Sequence, residues 1–303
     1  MNQSMHAFMK VGLIHFMAFP GTIKGEGPIL ETVRKIATDD YFDVIEVTWM
    51  KDPAVRRQVR KILETSHLTV GYGAQPRLLT TGLNINDLNE EGRLQALATL
   101  EEGIDEAYEL GAVGFGYLSG KYDPARSEEA YQALLKSTNA LCERAEKKGQ
   151  LKIALEVFDF DVDKKSLIGP VALAKRFAQD VRRHHDNFGL MVDLSHLPLL
   201  RETSRESLVP VKDYIVHAHM GNAVVKSPEL PAYGDTHPRF GFPNGANDVD
   251  ELAEYLRVLL KIGYLSRKQP RILSFEVKPF GDEEPELVIA NAKRVLNQAW
   301  ART

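Results

Sequence analysis

The sequence predicts a single (β/α)8 barrel, in which eight parallel strands close into a cylinder that is surrounded by helices. Short apolar runs alternate with longer amphipathic runs along the chain, and this alternation is typical of parallel sheets with right-handed helical crossovers. The apolar runs are continuous, as expected for strands covered on both faces. Eight such units in 303 residues match the size of a barrel. A doubly wound open sheet is the alternative.

The first half of the chain supplies four strand–helix units. Its predicted strands are residues 11–17, 44–49, 68–75 and 112–118. The helices that follow them are predicted near 28–38, from Pro53 onward, around the apolar positions 94–107, and at 127–148. Pro53 suits the first turn of a helix, where its missing N–H costs nothing.

The second half supplies the other four units. Its predicted strands are residues 151–158, 188–196, 214–222 and 271–279, and its helices are near 170–185, 204–211, from Asn247 onward, and at 285–300. Asn247 is a predicted N-cap, because asparagine is favoured at that position. A Gly- and Pro-rich loop, 223–246, follows strand seven. No linker divides the chain, so residues 1–303 are predicted to form one domain.

Composition excludes several classes of partner. The net charge is −4, with 38 basic and 42 acidic residues, so the chain has no surplus of positive charge for nucleic acid. It has neither a signal-type apolar segment nor the ~18 apolar residues of a membrane span. The single cysteine, Cys142, lies in a predicted helix and fits a reducing compartment. We therefore expect a cytoplasmic protein that does not bind membranes, and a homo-oligomer is left open.

Four predicted strands each carry a residue able to bind a metal near their C-terminal end: Glu156, Asp193, His219 and Glu276. In a barrel these strand ends meet at one mouth, and buried charges need partners or a metal. Three carboxylates and one imidazole suit Mn²⁺ or Mg²⁺, with Co²⁺ as a further alternative, better than structural zinc. Taken singly, each residue has a structural alternative, such as a turn cap for Asp193 or a pair with Lys278 for Glu276.

The strand ends ALEVF, MVDLSH, VHAHMGN and LSFEVKP resemble those of the xylose isomerase-like TIM-barrel superfamily, of the sugar phosphate isomerase/epimerase type. That type includes ketose 3-epimerases, hydroxypyruvate isomerase and inosose dehydratase, and the resemblance covers about residues 11–300. It implies a Mn²⁺-type ion held by the four residues, with Glu156 and Glu276 also moving protons. It further implies that His196 and Arg239 contact substrate oxygen, although residues 228–238 are inserted before Arg239.

Several other side chains are expected at the mouth. His15, Trp49 and Lys278 are predicted substrate contacts, although His15 could equally lie in a solvated loop and Trp49 in the core or at the rim. Further polar or aromatic residues expected there are Gln75, Tyr117 and Asp159. Asp235 and His237 lie in a stretch that resembles an active-site lid, whereas Lys164 and Lys165 belong to a solvated loop or meet an acidic substrate.

Together these features predict a divalent-metal-dependent isomerase or epimerase that acts on a small keto-sugar or sugar acid through an enediolate, with Glu156 and Glu276 as acid and base. A metal-dependent lyase, by β-elimination of a 3-keto-glycoside or decarboxylation of a 3-oxo sugar acid, is the alternative on the same site. An endonuclease IV-like enzyme is disfavoured by the negative charge. A non-catalytic sugar-binding subunit would bind no metal.

Overall fold

The computed structural model describes residues 3–303 and contains a closed barrel of eight parallel strands in sequence order. The strands are β1 (Met9–Ile14), β2 (Val44–Val47), β3 (Thr69–Gly73), β4 (Ala112–Leu118), β5 (Lys152–Glu156), β6 (Phe188–Asp193), β7 (Ile215–Gly221) and β8 (Arg271–Glu276). β8 pairs with β1 and closes the cylinder. The predicted (β/α)8 barrel is confirmed, and the open-sheet alternative is wrong.

In this part of the chain, seven longer helices surround the barrel and four short ones lie in its loops. The longer helices are α2 (Ile29–Ala37), α3 (Pro53–Ser66), α5 (Glu90–Leu110), α6 (Ser127–Lys148), α7 (Val171–Arg182), α10 (Val249–Lys261) and α11 (Pro285–Ala301). The short helices are α1 (His15–Ala18), α4 (Gln75–Leu79), α8 (His196–Leu200) and α9 (Ser204–Leu208). Within residues 3–303, none of the helices combines the length and apolar character that crossing a membrane requires.

Local sequence explains where several helices begin and end. The Asp52 carboxylate accepts a hydrogen bond from the backbone N–H of Ala54 at 2.7 Å and thereby caps α3. Asn89 caps α5 in the same way, and that helix ends at Gly111, whose φ of +74° is readily adopted by glycine. Cys142 is fully buried in α6, as expected for a free cysteine.

The inside of the barrel contains unusually small residues where large side chains cross it. A Cβ atom at Gly71 would lie 2.9 Å from Cγ of Glu46, and one at Gly116 would lie 2.6 Å from Cε of Met191. These glycines therefore leave room for Glu46 and Met191 inside the cylinder.

Some predicted boundaries differ from the structure. Strand one was predicted to reach residue 17, but β1 ends at Ile14 and the apolar run continues as α1, because a short apolar run does not distinguish strand from helix. The predicted N-cap Asn247 is also wrong, since Asp248 caps α10. The Asn247 amide instead donates to the carbonyl oxygens of Leu194 and Gly221, at 3.2 and 3.0 Å.

Candidate metal centre

The four residues predicted as metal ligands lie together at the C-terminal end of the barrel. Glu156, Asp193 and Glu276 are the last residues of β5, β6 and β8, and His219 lies two residues before the end of β7. All four are buried, and one donor atom from each lies within 4.8 Å of the others. Residues far apart in the sequence therefore meet because parallel strands end on the same face.

Each of these side chains offers one atom without a hydrogen-bond partner among the described residues. These atoms are Oε1 of Glu156, Oδ2 of Asp193, Nδ1 of His219 and Oε2 of Glu276. Nδ1 of His219 lies 2.9 Å from Oε2 of Glu276 and 3.4 Å from Oε1 of Glu156. Leaving four buried polar atoms unsatisfied is costly. Three oxygens and one imidazole nitrogen match the coordination of Mn²⁺-type ions, so the residues fit a divalent cation.

The other oxygens of two candidate ligands, Glu156 and Asp193, are held by neighbouring donors. The Gln75 amide donates to Oε2 of Glu156 at 2.6 Å, and the backbone N–H of Ser195 donates to Oδ1 of Asp193 at 2.7 Å. Each carboxylate is thereby fixed with its second oxygen turned toward the centre. Gln75, which was expected only somewhere at the mouth, is thus in direct contact with the candidate ligand Glu156.

Sequence reasoning missed Glu46, which lies on the other side of His219. Its two oxygens contact Nε2 of His217 at 2.8 Å and Nε2 of His219 at 3.2 Å. Burial alone would raise the pKa of Glu46, but the two histidines outweigh burial and hold that pKa well below its usual range. A signal was present: Glu46 is an acid within the apolar run 44–49, the same pattern that identified Glu156 and Glu276.

A second polar group, formed by Asp235 and three cationic side chains, borders the centre. Asp235 is buried and contacts Nζ of Lys164 at 2.9 Å, Nε2 of His196 at 3.2 Å and Nε2 of His237 at 3.0 Å. Although burial alone would lower both values, Asp235 raises the pKa of His196 to about 10 and that of His237 to about 9. The two imidazoles are therefore hydrogen-bond donors beside the cluster.

A cavity of about 270 Å³ lies above these groups, close to the small end of ligand pockets in general. Glu156, His219 and Glu276 form part of its floor. Apolar side chains form much of its wall, namely Ile14, Phe16, Met17, Ile23, Leu79 and Phe158. The site is therefore suited to a small molecule that meets the carboxylates at one end and apolar surface at the other.

Two predicted substrate contacts lie outside the residues that line this cavity. His15 is buried, and its Nε2 contacts Oγ1 of Thr32 at 2.7 Å on α2. Burial lowers the pKa of His15 to about 3, so the imidazole is neutral. The Trp49 indole donates to the carbonyl oxygen of Ile23 at 2.9 Å. Both side chains support the loops around the mouth.

The remaining predicted contacts divide between the cavity and its surroundings. Lys278 lines the cavity, and its backbone N–H donates to the carbonyl oxygen of His237 at 2.7 Å. Arg239 is not among the lining residues, because its Nε donates to a Glu283 oxygen at 2.9 Å. The lid-like stretch thus brings His237 to the centre and directs Arg239 away from it.

Two other residues expected at the mouth serve the scaffold. The Tyr117 hydroxyl lies 2.6 Å from Oγ1 of Thr138 on α6. The Asp159 carboxylate accepts hydrogen bonds from the backbone N–H groups of residues 162–165, at 2.8 to 3.3 Å. This loop positions Lys164, which sequence reasoning placed in a solvated loop or against an acidic substrate.

Comparisons with known proteins agree with this architecture. Residues 34–299 match the model of a family described as xylose isomerase-like TIM barrel. No curated protein matches the sequence at a significant level. The fold is similar to that of an L-ribulose 3-epimerase, with a TM-score of 0.73, 17% identity and coverage of 97% of this chain and 95% of that one.

Two further solved structures are similar at comparable levels. A D-psicose 3-epimerase from Clostridium cellulolyticum H10, solved with D-tagatose, has a TM-score of 0.65 and 16% identity, with 97% of this chain and 96% of that one covered. A 3-keto-D-glucoside 4-epimerase from E. coli has a TM-score of 0.67 and 17% identity, with 95% and 99% covered. At these identities the similarity establishes the fold.

Proposed function

The chain belongs to the xylose isomerase-like TIM barrel family, and from that premise we propose that it is a divalent-metal-dependent isomerase or epimerase of a keto-sugar or sugar acid. The superfamily predicted from the sequence is confirmed by the family match. The observation that carries the proposed activity is the convergence of four buried donor atoms that lack a hydrogen bond, three of them on residues that line a small cavity. The relatives compared above are epimerases by name, which agrees with the predicted class of enzyme.

Glu156, Asp193, His219 and Glu276 would hold the ion. Mn²⁺ is the proposed metal, with Mg²⁺ and Co²⁺ as alternatives, because carboxylate oxygens dominate the set. When bound, such an ion would supply Lewis acidity to a substrate carbonyl and the hydroxyl beside it. That acidity is what makes a neighbouring C–H bond accessible to a carboxylate base.

Glu156 and Glu276 are proposed as the proton carriers. They lie on β5 and β8, so they approach a substrate in the cavity from different sides. One carboxylate takes the proton from the carbon beside the carbonyl; the C–H electron pair forms the new C=C bond, and the π pair of the carbonyl moves onto its oxygen to give an enediolate. The other carboxylate returns a proton to the opposite face of the same carbon for epimerisation. For isomerisation the proton returns to the neighbouring carbon, and the hydroxyl proton passes to the former carbonyl oxygen.

Neighbouring side chains would orient the substrate. His196, whose Nε2 lies 3.2 Å from Oδ1 of the cavity-lining Asp235, is proposed to contact a substrate oxygen, and Lys278 lines the cavity itself. Charge that develops on the enediolate oxygens is stabilised by such fixed donors. Arg239, His15 and Trp49 stay proposed substrate contacts; none of the three lines the cavity, because Arg239 pairs with Glu283, His15 with Thr32 and Trp49 with Ile23.

The apolar wall favours a second candidate on the same site. Side chains such as Phe16, Leu79 and Phe158 suit the aglycone of a 3-keto-glycoside better than a ring of hydroxyl groups. The enediolate of such a substrate could expel the aglycone by β-elimination, and a 3-oxo sugar acid could lose carbon dioxide. A metal-dependent lyase is therefore the alternative.

The test is to incubate Mn²⁺-loaded protein in deuterated water with ketoses, 3-keto-glycosides and 3-oxo sugar acids, and to follow each by NMR. Deuterium entering an intact sugar supports the isomerase or epimerase, and release of an aglycone or of carbon dioxide supports the lyase. Glu276→Gln should abolish either signal. A protein that contains stoichiometric metal but exchanges no proton and releases no fragment from any substrate would contradict both.

Two predictions about the whole protein also stay proposals. We propose a cytoplasmic location, which agrees with a single buried thiol at Cys142. A homo-oligomer is left open, and size-exclusion chromatography with light scattering would determine the number of subunits. A nucleic-acid partner is not proposed, because the net charge is −4.

A further inference from the structure

We propose that Glu46 is a positioning residue that fixes the His219 ring with Nδ1 facing the metal centre, and that His217 locks Glu46 in place. The inference rests on the proposed function only in requiring that the four-residue centre hold an ion. It assigns a role to two buried residues, Glu46 and His217, that the proposed chemistry does not use.

Hydrogen-bond chemistry gives the direction of the contact. An ionised carboxylate can only accept, so a ring nitrogen that faces it must carry the hydrogen. Both ring nitrogens of His219 face carboxylates: Nε2 lies 3.2 Å from Oε2 of Glu46, and Nδ1 lies 2.9 Å from Oε2 of Glu276. Glu46 therefore holds a hydrogen on Nε2, which leaves Nδ1 as the nitrogen that a cation between the four residues would bind. Such a cation would displace the Nδ1 hydrogen without any change at Nε2.

His217 occupies the remaining oxygen of Glu46. Its Nε2 lies 2.8 Å from Oε1, so each oxygen of the carboxylate faces one imidazole. The two rings are 5.0 Å apart and nearly perpendicular, at 85°. A carboxylate fixed at both oxygens cannot rotate away from His219. Gly71 completes the arrangement, because any side chain there would press on the Glu46 stem.

The strand register explains why both histidines point into the barrel. The pairing of β6 with β7 shifts between Leu190 and Met191, after which His217 lies opposite Met191 and His219 opposite Asp193. Residues two apart on a strand face the same side. The shift therefore sets one imidazole at the level of the metal centre and the other one layer below it.

A second cavity, of about 580 Å³, opens at the N-terminal end of the barrel and reaches Glu46 and His217. Glu46 and His217 line it, together with the small residues Gly114, Gly116 and Ala154. The cavity above the metal centre is also bordered by Glu46. Removing the Glu46 carboxylate would therefore open a hole that a small anion can reach from the end of the barrel opposite the substrate.

The test measures Mn²⁺ affinity by calorimetry for the wild type, Glu46→Gln and Glu46→Ala, each without substrate. Loss of a carboxylate that orients a metal-binding histidine weakens metal affinity by roughly 10–100-fold, and we expect this loss in both variants. In Glu46→Gln the introduced amide presents an N–H₂ toward one of the two imidazoles, so the isosteric change should not preserve affinity. Formate should restore affinity in Glu46→Ala, and chloride should not.

The matched control is Glu106→Gln, which removes a buried carboxylate paired with Arg77 outside the centre. It should bind Mn²⁺ with wild-type affinity. Wild-type affinity in both Glu46 variants would overturn the inference. So would a loss in a folded Glu46→Ala protein that formate does not reverse, because a missing carboxylate would then not be its cause. Mn²⁺ binding with the expected variant effects but without turnover would refute the proposed activity and leave the inference standing.

Discussion

The protein buries two groups of charged side chains, one around Arg77 and one at the C-terminal mouth of the barrel. They differ in whether other protein atoms provide all the hydrogen bonds that their polar atoms need. In the first group, Arg77 donates to an oxygen of Glu106 at 2.7 Å and to the Tyr72 hydroxyl at 3.0 Å. The other oxygen of Glu106 accepts the backbone N–H of Met50 at 2.7 Å. This group is complete without a ligand and ties β3 to α4 and α5.

The second group, at the C-terminal mouth, is equally buried but incomplete. Glu156, Asp193, His219 and Glu276 each keep one atom without a hydrogen bond among residues 3–303, and these four atoms lie within 4.8 Å of one another. Burial of charge alone therefore does not identify a functional site. The informative feature is a set of unsatisfied donor atoms that converge, because a structural ion pair has no reason to leave them.

The largest expected effect is on catalysis. Glu276→Gln and Glu156→Gln each keep the shape of the side chain and remove a proton carrier, so turnover should fall about 10²- to 10⁴-fold. Deuterium exchange into the substrate measures this loss. Glu106→Gln is the control and should retain full exchange per folded molecule. If both variants exchanged deuterium at the wild-type rate, the charged residues at the mouth would be structural, as those of the Arg77 group are.

The next effect is on stability, and here the variant of the Arg77 group, Glu106→Gln, should show the loss. Glu106→Gln leaves the Arg77 guanidinium buried without its carboxylate, which costs about 3–5 kcal/mol when a buried ion pair is broken. Urea unfolding monitored by circular dichroism measures that free energy. A change below about 1 kcal/mol would mean that the Arg77 group contributes little to the fold.

Metal binding should stabilise only a protein with an intact mouth. Mn²⁺ at about 100 times its dissociation constant raises the free energy of unfolding by about 2.7 kcal/mol, because it binds the folded chain alone. Chelation should remove that increment from the wild type and from Glu106→Gln. His219→Gln should show no increment at the same Mn²⁺ concentration, and a gain equal to that of the wild type would place the ion elsewhere.

The smallest effect concerns His15, which is buried and neutral beside Thr32. Its pKa is about 3 in the folded chain, against about 6.5 when unfolded. As pH falls below 6.5 the unfolded chain takes up the proton first, so stability is lost between pH 6.5 and 3. At about pH 5 the loss is about 2 kcal/mol. His15→Asn should flatten this slope in urea titrations, and an unchanged slope would contradict the burial argument.

The sequence predicted the barrel well because its signals are periodic. Eight apolar runs separated by amphipathic ones need no knowledge of side-chain direction, and the convergence of Glu156, Asp193, His219 and Glu276 follows from strand ends alone. The direction in which a loop side chain points cannot be predicted from such periodicity. His15 was expected at the mouth, but its chain continues as a helix and the imidazole turns to α2. Arg239 pairs with Glu283, a residue 44 positions away that no local pattern connects to it.

Glu46 illustrates a second limit of prediction from the sequence. Its position in an apolar run was visible, but its partners lie on β7, 171 and 173 residues further along the chain. Only the closed sheet shows that the Glu46 side chain crosses the barrel to His217 and His219. Long-range pairs of this kind depend on register, and the shift between Leu190 and Met191 that sets it has no marker in the sequence.

The central claim is that the four unpartnered atoms hold one divalent ion, and the metal content of the purified protein tests it most directly. After loading with Mn²⁺ and dialysis, elemental analysis should give one ion per chain for the wild type and for Glu106→Gln, and none for His219→Gln. Absence of bound ion from the wild type, or its full retention by His219→Gln, would contradict the claim.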